Sequence, residues 1–359
     1  MISYPFKWAV IFVLFLIPFE FLCADDVLKI AGWDAYADPY NTHKTIGYKS
    51  FEQKFGVTIE FTALSSLDDI IEVAESEEEY DLFIISNEGI SILYDMSLIK
   101  PLELNKISSY QSLLHDLQYT PWAQFDSQVY AVPWAWGPTG LIYDKALAIE
   151  PDSWETLWDT KYKGKAAMWD DVSMIWTTAL LLGYKNVYNL TKDQLEAVKE
   201  KLFKFNDLHG YLYKDGEDEI ELAKNGKIVV YNSWFDPSQR LRPMGKDFEM
   251  TIPKEGAVGM FDSYLISSRS KNNAIAHRYI DHQISPEIQL EMVRITGLSP
   301  ANIETLRLLR PDEIHALHLD DNEYFNKMIL WNNMPRKNLY EDVLDKVRAD
   351  YKKKSKVRR

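Results

Sequence analysis

The sequence has a single cysteine, Cys23, among its 359 residues. A lone cysteine cannot close an intramolecular disulfide or supply a paired-cysteine metal site. The chain also lacks the glycine-rich loops of nucleotide-binding proteins, the His-Glu-x-x-His zinc motif and the Gly-x-Ser-x-Gly elbow of serine hydrolases. We therefore expect a protein without a cofactor, without a metal centre and without nucleophilic catalysis.

Basic residues are also in short supply. Lysine and arginine number 40 against 54 aspartates and glutamates, so the formal net charge is −14. Nucleic acid binding requires clustered lysines and arginines, and this balance argues against a nucleic acid partner. An acidic surface attracts cationic ligands over long distances, although solubility alone is a sufficient reason for such a charge.

A short apolar run occurs near the N-terminus. Lys7 precedes the run 8–19, and the small residue Ala24 stands before an acidic start to the remaining chain. A charged start, a short hydrophobic core and a small residue at the cut are typical of a cleaved secretory signal peptide. The pattern predicts a signal peptide over 1–24 and a periplasmic protein whose mature form contains no cysteine.

Two alternatives to a cleaved signal remain. The first is an uncleaved membrane anchor, although the run is shorter than the roughly 20 apolar residues of a bilayer span. The second is a lipoprotein acylated on Cys23, which the bulky or charged residues 20–22 disfavour. We take the cleaved signal as the working hypothesis because both alternatives fit the local pattern less well.

After this leader, strand and helix patterns alternate along the chain. Their order is typical of an α/β fold with a parallel sheet, and ligands of such sheets lie at the carboxyl ends of the strands. A length of 359 residues favours two domains over one. We expect the tryptophan-rich segment 134–137 to link two strands at a crossing between the domains, and the basic tail 351–359 to be disordered. The predicted strands are 27–31, 57–62, 82–85, 129–133, 141–143, 166–169, 227–231 and 264–267, and the predicted helices are 45–55, 67–74, 87–94, 174–182, 192–204, 274–284 and 287–295.

Several short segments occur in an order that resembles one family, the periplasmic spermidine/putrescine-binding proteins that serve polyamine ABC importers. The segments are GWDAY at 32–36, YDLFIIS at 80–86, YAVPWAWG at 130–137, SWETLW at 153–158, KYKGK at 161–165, YNS at 231–233, PKEG at 253–256 and FDS at 261–263.

The resemblance implies two α/β lobes that close on a ligand in the cleft between them. Lobe 1 would comprise 25–134 and 260–306, and lobe 2 would comprise 135–259 and 307–350. It also implies a non-enzymatic monomer that delivers a polyamine to the permease subunits of its transporter.

A polyamine site needs carboxylates for the ammonium groups and aromatic faces along the methylenes. The resemblance implies these positions for the site, and in each case the alternative is core packing, a helix cap or a turn. The matched residues are Trp33 and Tyr36 as an aromatic pair, Ser86 as a polar contact, Asp171 as an acid of the second lobe, Asp262 as the acid that grips one amino end, and Tyr231 where the family usually has a tryptophan.

The chain departs from the family pattern at several of these positions. Met174 replaces a glutamate, Met260 replaces a tryptophan, Glu88 replaces a tyrosine and Asn332 replaces a glutamine. Glu88 would then supply the charge that Met174 lacks. In the same way Trp234 would restore lost aromatic area, while the methionines provide adaptable apolar walls.

These departures leave two further interpretations open. The same fold could bind a different small cationic or amine solute, because a relocated carboxylate changes which amine fits. Alternatively, tryptophan-rich loops with carboxylates are found in carbohydrate hydrolases, whose two acids flank the scissile bond. A receptor for a ferric ion or an anion is less consistent with acids at the matched positions.

Overall fold

Two β-sheets and the helices packed on them form the part of the chain that the structure describes. The computed structural model describes residues 27–33, 36, 46–234, 236–321 and 325–356, and the predicted signal peptide lies outside these ranges. The strands are β1 (Val27–Trp33), β2 (Thr58–Leu64), β3 (Leu82–Ser86), β4 (Ile99–Lys100), β5 (Gln124–Phe125), β6 (Gln128–Val129), β7 (Ala131–Pro138), β8 (Gly140–Asp144), β9 (Ala166–Trp169), β10 (Tyr211–Tyr213), β11 (Val230–Ser233), β12 (Phe248–Thr251), β13 (Ala257–Ser267), β14 (Ser299–Pro300) and β15 (Met328–Leu330).

Every predicted helix is present within three residues of its expected bounds, and local capping explains where some helices begin. The Ser66 side chain accepts a hydrogen bond from the Asp69 backbone N–H at the start of α2, and Thr191 forms a capping box with Gln194 at the start of α5. The helices are α1 (Tyr48–Phe55), α2 (Leu67–Glu75), α3 (Asn87–Asp95), α4 (Ser173–Leu181), α5 (Lys192–Asp207), α6 (Gly216–Lys224), α7 (Ser238–Leu241), α8 (Asn273–Gln283), α9 (Pro286–Thr296), α10 (Pro311–Ala316) and α11 (Lys337–Ser355). Of these, α6, α7, α10 and α11 were not predicted.

The first sheet has the strand order β14-β7-β13-β3-β1-β2, with β4 and β15 also paired to β13. Strands β1, β2 and β3 are parallel, as predicted from their alternation with helices. Strand β13 is antiparallel to both β3 and β7, so the sheet is mixed and the prediction of parallel strands does not extend to β13. The reason is connectivity, because β13 enters from the second sheet and is not returned to its neighbours by a crossover helix.

The second sheet has the strand order β10-β9-β11-β8-β12. Strand β9 is parallel to β10 and β11, whereas β8 is antiparallel to β11 and β12. The chain passes between the sheets at Thr139 and again over 252–256. At the first crossing, the Thr139 backbone N–H and hydroxyl both donate to the Val258 carbonyl, at 2.7 and 2.9 Å. These two hydrogen bonds join the first crossing to the start of β13, directly after the second crossing.

The segment 134–137 is part of strand β7, so the prediction that it links two strands is wrong. Trp134 and Trp136 are both fully buried, and their indole N–H groups donate to the Gln283 and Pro300 carbonyls, at 3.1 and 3.0 Å. A buried indole with a carbonyl partner fits a strand interior better than a connecting segment. The lobe boundaries at 134/135 and 259/260 stay a prediction.

The prediction of a disordered tail over 351–359 is wrong as far as Ser355, because α11 continues to that residue. The helix packs on α5, and its last turns are held by Lys354, which pairs with Asp207 at 2.6 Å and Asp350 at 2.9 Å. Basic residues at a helix C-terminus also interact favourably with the helix dipole. In the described ranges, no helix is both long and apolar enough for a bilayer crossing.

Candidate functional site

The carboxyl ends of strands β1 and β3 bring the candidate site residues together. Trp33 is the last residue of β1 and Ser86 is the last residue of β3. Antiparallel pairing places Asp262 of β13 directly opposite Ser86. The side chains of three distant segments therefore meet at one edge of the first sheet, where α/β proteins place their ligands.

Asp262 is the centre of this cluster and is only 2% exposed. Its carboxylate accepts hydrogen bonds from the Trp33 indole N–H at 3.3 Å, from the Tyr36 hydroxyl and from the Ser86 hydroxyl. Burial raises the pKa of Asp262 to about 6, and the three hydrogen bonds oppose that rise by stabilising the charged form. No basic side chain of the described residues is among the groups that shift this pKa.

A second acid, Glu88, is buried close to Asp262. It is the second residue of α3 and is 6% exposed. Neither carboxylate oxygen has a hydrogen-bond partner within the described ranges. Burial raises the pKa of Glu88 to about 8; its own backbone N–H partly opposes this, and the negative charge of Asp262 raises the pKa further. Burial raises the pKa of Tyr188, and the negative charge of Glu88 raises it further, so the Tyr188 hydroxyl lies within electrostatic range of Glu88.

Four aromatic rings form a wall beside these acids. Trp234 stacks on Trp331 with ring centroids 5.2 Å apart, and the edge of Trp176 meets Trp331 at 5.1 Å. Tyr188 contacts Trp176 at 5.3 Å. The indole N–H of Trp176 is buried and has no hydrogen-bond partner among the described residues. The wall therefore presents π faces, which attract cations and methylene chains, and one unused donor.

A third acid, Asp171, lies beside this wall and just before α4. It accepts a hydrogen bond from the Trp234 indole N–H at 2.8 Å and from the Ser173 backbone N–H at 2.8 Å, and it also bonds the Ser173 hydroxyl. Burial raises the pKa of Asp171, while these hydrogen bonds oppose the rise. Asp171 thus bonds the first residue of α4 and orients a tryptophan of the wall, so it combines a structural role with a place at the candidate site.

Asn87 connects the first sheet to the aromatic wall. Its amide donates to the Trp331 carbonyl at 2.6 Å and accepts from the Phe261 backbone N–H at 3.1 Å. The Trp331 backbone N–H donates to the Gly259 carbonyl at 2.8 Å. Sequence reasoning missed Asn87, Trp176 and Tyr188. Asn87 carries a signal, because it follows the strand end, whereas the two aromatic residues resemble ordinary core residues in the sequence.

The remaining predicted positions lie in different surroundings. Met174 and Met260 are both buried, and strand alternation puts Met260 on the same face of β13 as Asp262. Tyr231 faces a separate core, where it packs against Tyr213 and Phe248 at 6.1 and 5.9 Å.

Asn332 is not brought to the cluster. Its side chain is exposed and accepts a hydrogen bond from the Asn333 backbone N–H at 2.8 Å. Its neighbour Trp331 joins the wall instead. Because adjacent residues point in different directions in an extended segment, a position one residue away in sequence lands on the opposite side.

Metal-ligating side chains do not gather into a group of three or more anywhere in the described ranges. The candidate site instead combines three acids with aromatic faces. Carboxylates provide charge for a cation, and the rings provide apolar contact for an alkyl chain, so this arrangement suits an organic cation.

Comparison with known proteins gives similar chains with the same fold. A putrescine-binding periplasmic protein of Pseudomonas aeruginosa is 23% identical over 297 residues, which are 77% of this chain and 78% of that protein. The spermidine/putrescine ABC transporter substrate-binding protein of Streptococcus pneumoniae superposes with a TM-score of 0.73 at 20% identity, covering 91% of this chain and 99% of that one. The Atu4243–GABA receptor superposes with a TM-score of 0.67 at 17% identity, covering 91% and 98%.

These structures have the two-lobe fold of periplasmic binding proteins, which confirms the predicted fold class. The family described as bacterial extracellular solute-binding protein matches residues 48–316. Its members are binding components of transport systems and not enzymes, so the carbohydrate hydrolase interpretation is wrong. The chain therefore belongs to the bacterial extracellular solute-binding protein family.

Proposed function

We propose that the protein binds a polyamine of the putrescine or spermidine type in the cleft between its lobes and delivers it to the permease subunits of an ABC importer. One observation carries the proposal: Asp262 and Glu88 are two neighbouring buried acids, and no basic side chain of the described residues is among the groups that shift the pKa of either one. Burying an ionised carboxylate without a partner costs several kcal/mol, and an ammonium group of the ligand removes that cost.

The rest of the cluster suits the remainder of such a ligand. The rings of Trp234, Trp331 and Trp176 offer faces for the methylene chain, and each desolvated cation–π contact contributes about 0.5–2 kcal/mol. Asp171 lies beside these rings and provides charge for a second amino group. Relatives whose names state putrescine binding support the same ligand class.

The proposal also includes where the protein works and how it passes on its ligand. Residues 1–24 would act as a signal peptide and be removed, so that a monomeric receptor without cysteine works in the periplasm. The family is extracellular, in keeping with such a leader. Capture would follow closure of the two lobes around the ligand, and the closed form would present the loaded site to the permease.

A second candidate is an amino-acid-like solute that carries both an amine and a carboxylate. The buried, unpartnered indole N–H of Trp176 favours it, because this donor suits a carboxylate oxygen of the ligand. A protein of similar fold is a GABA receptor. A polyamine remains the better fit, because among the described residues the cluster holds three acids, Asp262, Glu88 and Asp171, which suit ammonium groups better than they suit a carboxylate.

A thermal-shift screen of the purified protein tests both candidates. The panel contains putrescine, cadaverine, spermidine, GABA and glucose, each well above its expected dissociation constant. A ligand at about 100 times its dissociation constant adds about 2.7 kcal/mol to the free energy of unfolding, which moves the melting temperature measurably. A shift with a polyamine supports the proposal, a shift with GABA alone supports the second candidate, and no shift with any amine contradicts both.

A further inference from the structure

Glu88 has surroundings that do not suit a permanent charge. Helix α3 packs against β3, β4 and β13. Strand β3 has no ionisable side chain, and Lys100 of β4 points its ammonium at the Ser270 carbonyl, at 2.8 Å. Strand β13 brings Asp262, and the chain between α4 and α5 brings Tyr188. Across the described ranges, the one charged group that acts on Glu88 is therefore another acid.

The neutral form of Glu88 is the stable one in these surroundings. Both carboxylate oxygens are buried without a hydrogen-bond partner among the described residues, and the backbone N–H of Glu88 itself only partly offsets the hydration that an ionised group would lose. Burial raises the pKa of Glu88 to about 8, which means that the carboxyl holds its proton at neutral pH while Asp262 is mostly ionised. An arriving ammonium group changes this balance, because it offers both a positive charge and N–H donors.

We propose that a cationic amine displaces the proton of Glu88 when it binds, so that capture of one ligand releases one proton. The O–H bond of the carboxyl breaks and the proton passes to water or buffer. The ammonium group keeps its own protons and donates a hydrogen bond to the new carboxylate. The inference rests on the proposed amine-binding function, and it adds that pH regulates this function, because the affinity for the amine falls under acid conditions.

The proposal has a quantitative consequence for affinity. Linkage requires the association constant to rise about tenfold per pH unit for each proton released, as long as the empty site still holds that proton. We expect this slope between about pH 6 and about pH 8 and a plateau above it, because Glu88 then ionises without the ligand. Below about pH 6, Asp262 takes up a proton as well and the slope becomes steeper.

Isothermal titration calorimetry of the protein with putrescine measures the released proton directly. Titrations in phosphate and in Tris at the same pH, about 7, differ in heat by the number of protons that the buffer takes up, multiplied by the difference between the ionisation enthalpies of the two buffers. We expect close to one proton per putrescine for the wild type and close to zero for Glu88→Gln. The matched control is Glu287→Gln, because Glu287 is the second residue of α9 as Glu88 is of α3, and it is exposed. This control should release the same proton as the wild type.

The outcomes separate this inference from the function on which it rests. Saturable heats that are equal in both buffers overturn the inference and leave the amine receptor intact, as does proton release that persists in Glu88→Gln. No saturable heat with putrescine, cadaverine or spermidine overturns the proposed function and the inference with it. If thermal unfolding shows that Glu88→Gln is not folded, the wild-type affinity between about pH 6 and about pH 8 decides: a tenfold slope per unit supports the inference, and a flat profile overturns it.

Discussion

Replacement of Asp262 by asparagine tests the centre of the candidate site. The substitution removes a charge while preserving shape, and the local hydrogen bonds can survive it. The carboxylate oxygen that faces Trp33 and Ser86 remains an acceptor as the amide oxygen. The other oxygen, which faces the Tyr36 hydroxyl, becomes an NH₂ group that can donate to that hydroxyl once it rotates. Asp262→Asn should therefore fold normally.

The expected loss is in amine affinity. Removing one partner of a buried, hydrogen-bonded charge pair costs about 2–5 kcal/mol. This corresponds to a dissociation constant raised by about 30-fold to several thousand-fold. The unliganded variant should be at least as stable as the wild type at neutral pH, because burial raises the pKa of Asp262 to about 6 and the charged form is the one that burial disfavours.

Calorimetry with putrescine, together with thermal unfolding of both unliganded proteins, separates these effects. Asp193→Asn provides the control, because it makes the same aspartate-to-asparagine change at an exposed residue in the first turn of α5, away from the site. A dissociation constant for Asp262→Asn within threefold of the wild type would refute the reasoning. A large loss of stability in this variant would also refute it, because Asp262 would then be structural.

Two further predictions concern Glu219 and Met174. Burial raises the pKa of Glu219 from 4.5 to about 8, so the folded state binds this proton more tightly than the unfolded state. The free energy of unfolding should therefore fall by up to about 1.4 kcal/mol per pH unit as the pH rises from 4.5 to about 8. Urea titrations of Glu219→Gln should show a shallower fall than those of the wild type. Equal slopes for the two proteins would contradict the raised pKa of Glu219. Met174→Glu introduces the glutamate that the resemblance implies at this position, and it should shift the ranking of putrescine, cadaverine and spermidine in the thermal-shift screen. An unchanged ranking would show that Met174 does not face the ligand.

The sequence predicted the elements of the fold better than their pairing. Every predicted helix lies within three residues of an observed one, because hydrophobic period and capping residues act locally, whereas several short strands and the helices α6, α7, α10 and α11 were not predicted. The antiparallel path of β13 was not predictable in this way, since pairing depends on how distant strands return to the sheet. Helix α11 was not predicted at all, and its basic end was taken for a disordered tail, because the pairing of Lys354 with Asp207 depends on packing against α5.

At the candidate site, too, local sequence patterns predicted some positions, and the packing of distant segments decided others. Trp33 and Ser86 could be placed at strand ends from the pattern, and Asp262 by the resemblance. Trp176 and Tyr188 could not be found, because a buried aromatic residue has the same sequence pattern whether it faces a core or a cleft. Tyr231 and Asn332 were assigned to the site although their side chains face a separate core and the solvent.

The sequence by itself determined the α/β class, the order of the elements and the family, because periodicity, capping and ordered motifs are local properties of the chain. The tertiary structure alone decided that, within the described part of the chain, the Glu88 carboxylate has no hydrogen-bond partner beside Asp262, and that Trp234 and Trp331 stack next to them. The physical reason is that solvation and charge at a buried carboxyl depend on every group within a few ångströms of it. Those groups come from chain segments that only the fold brings together.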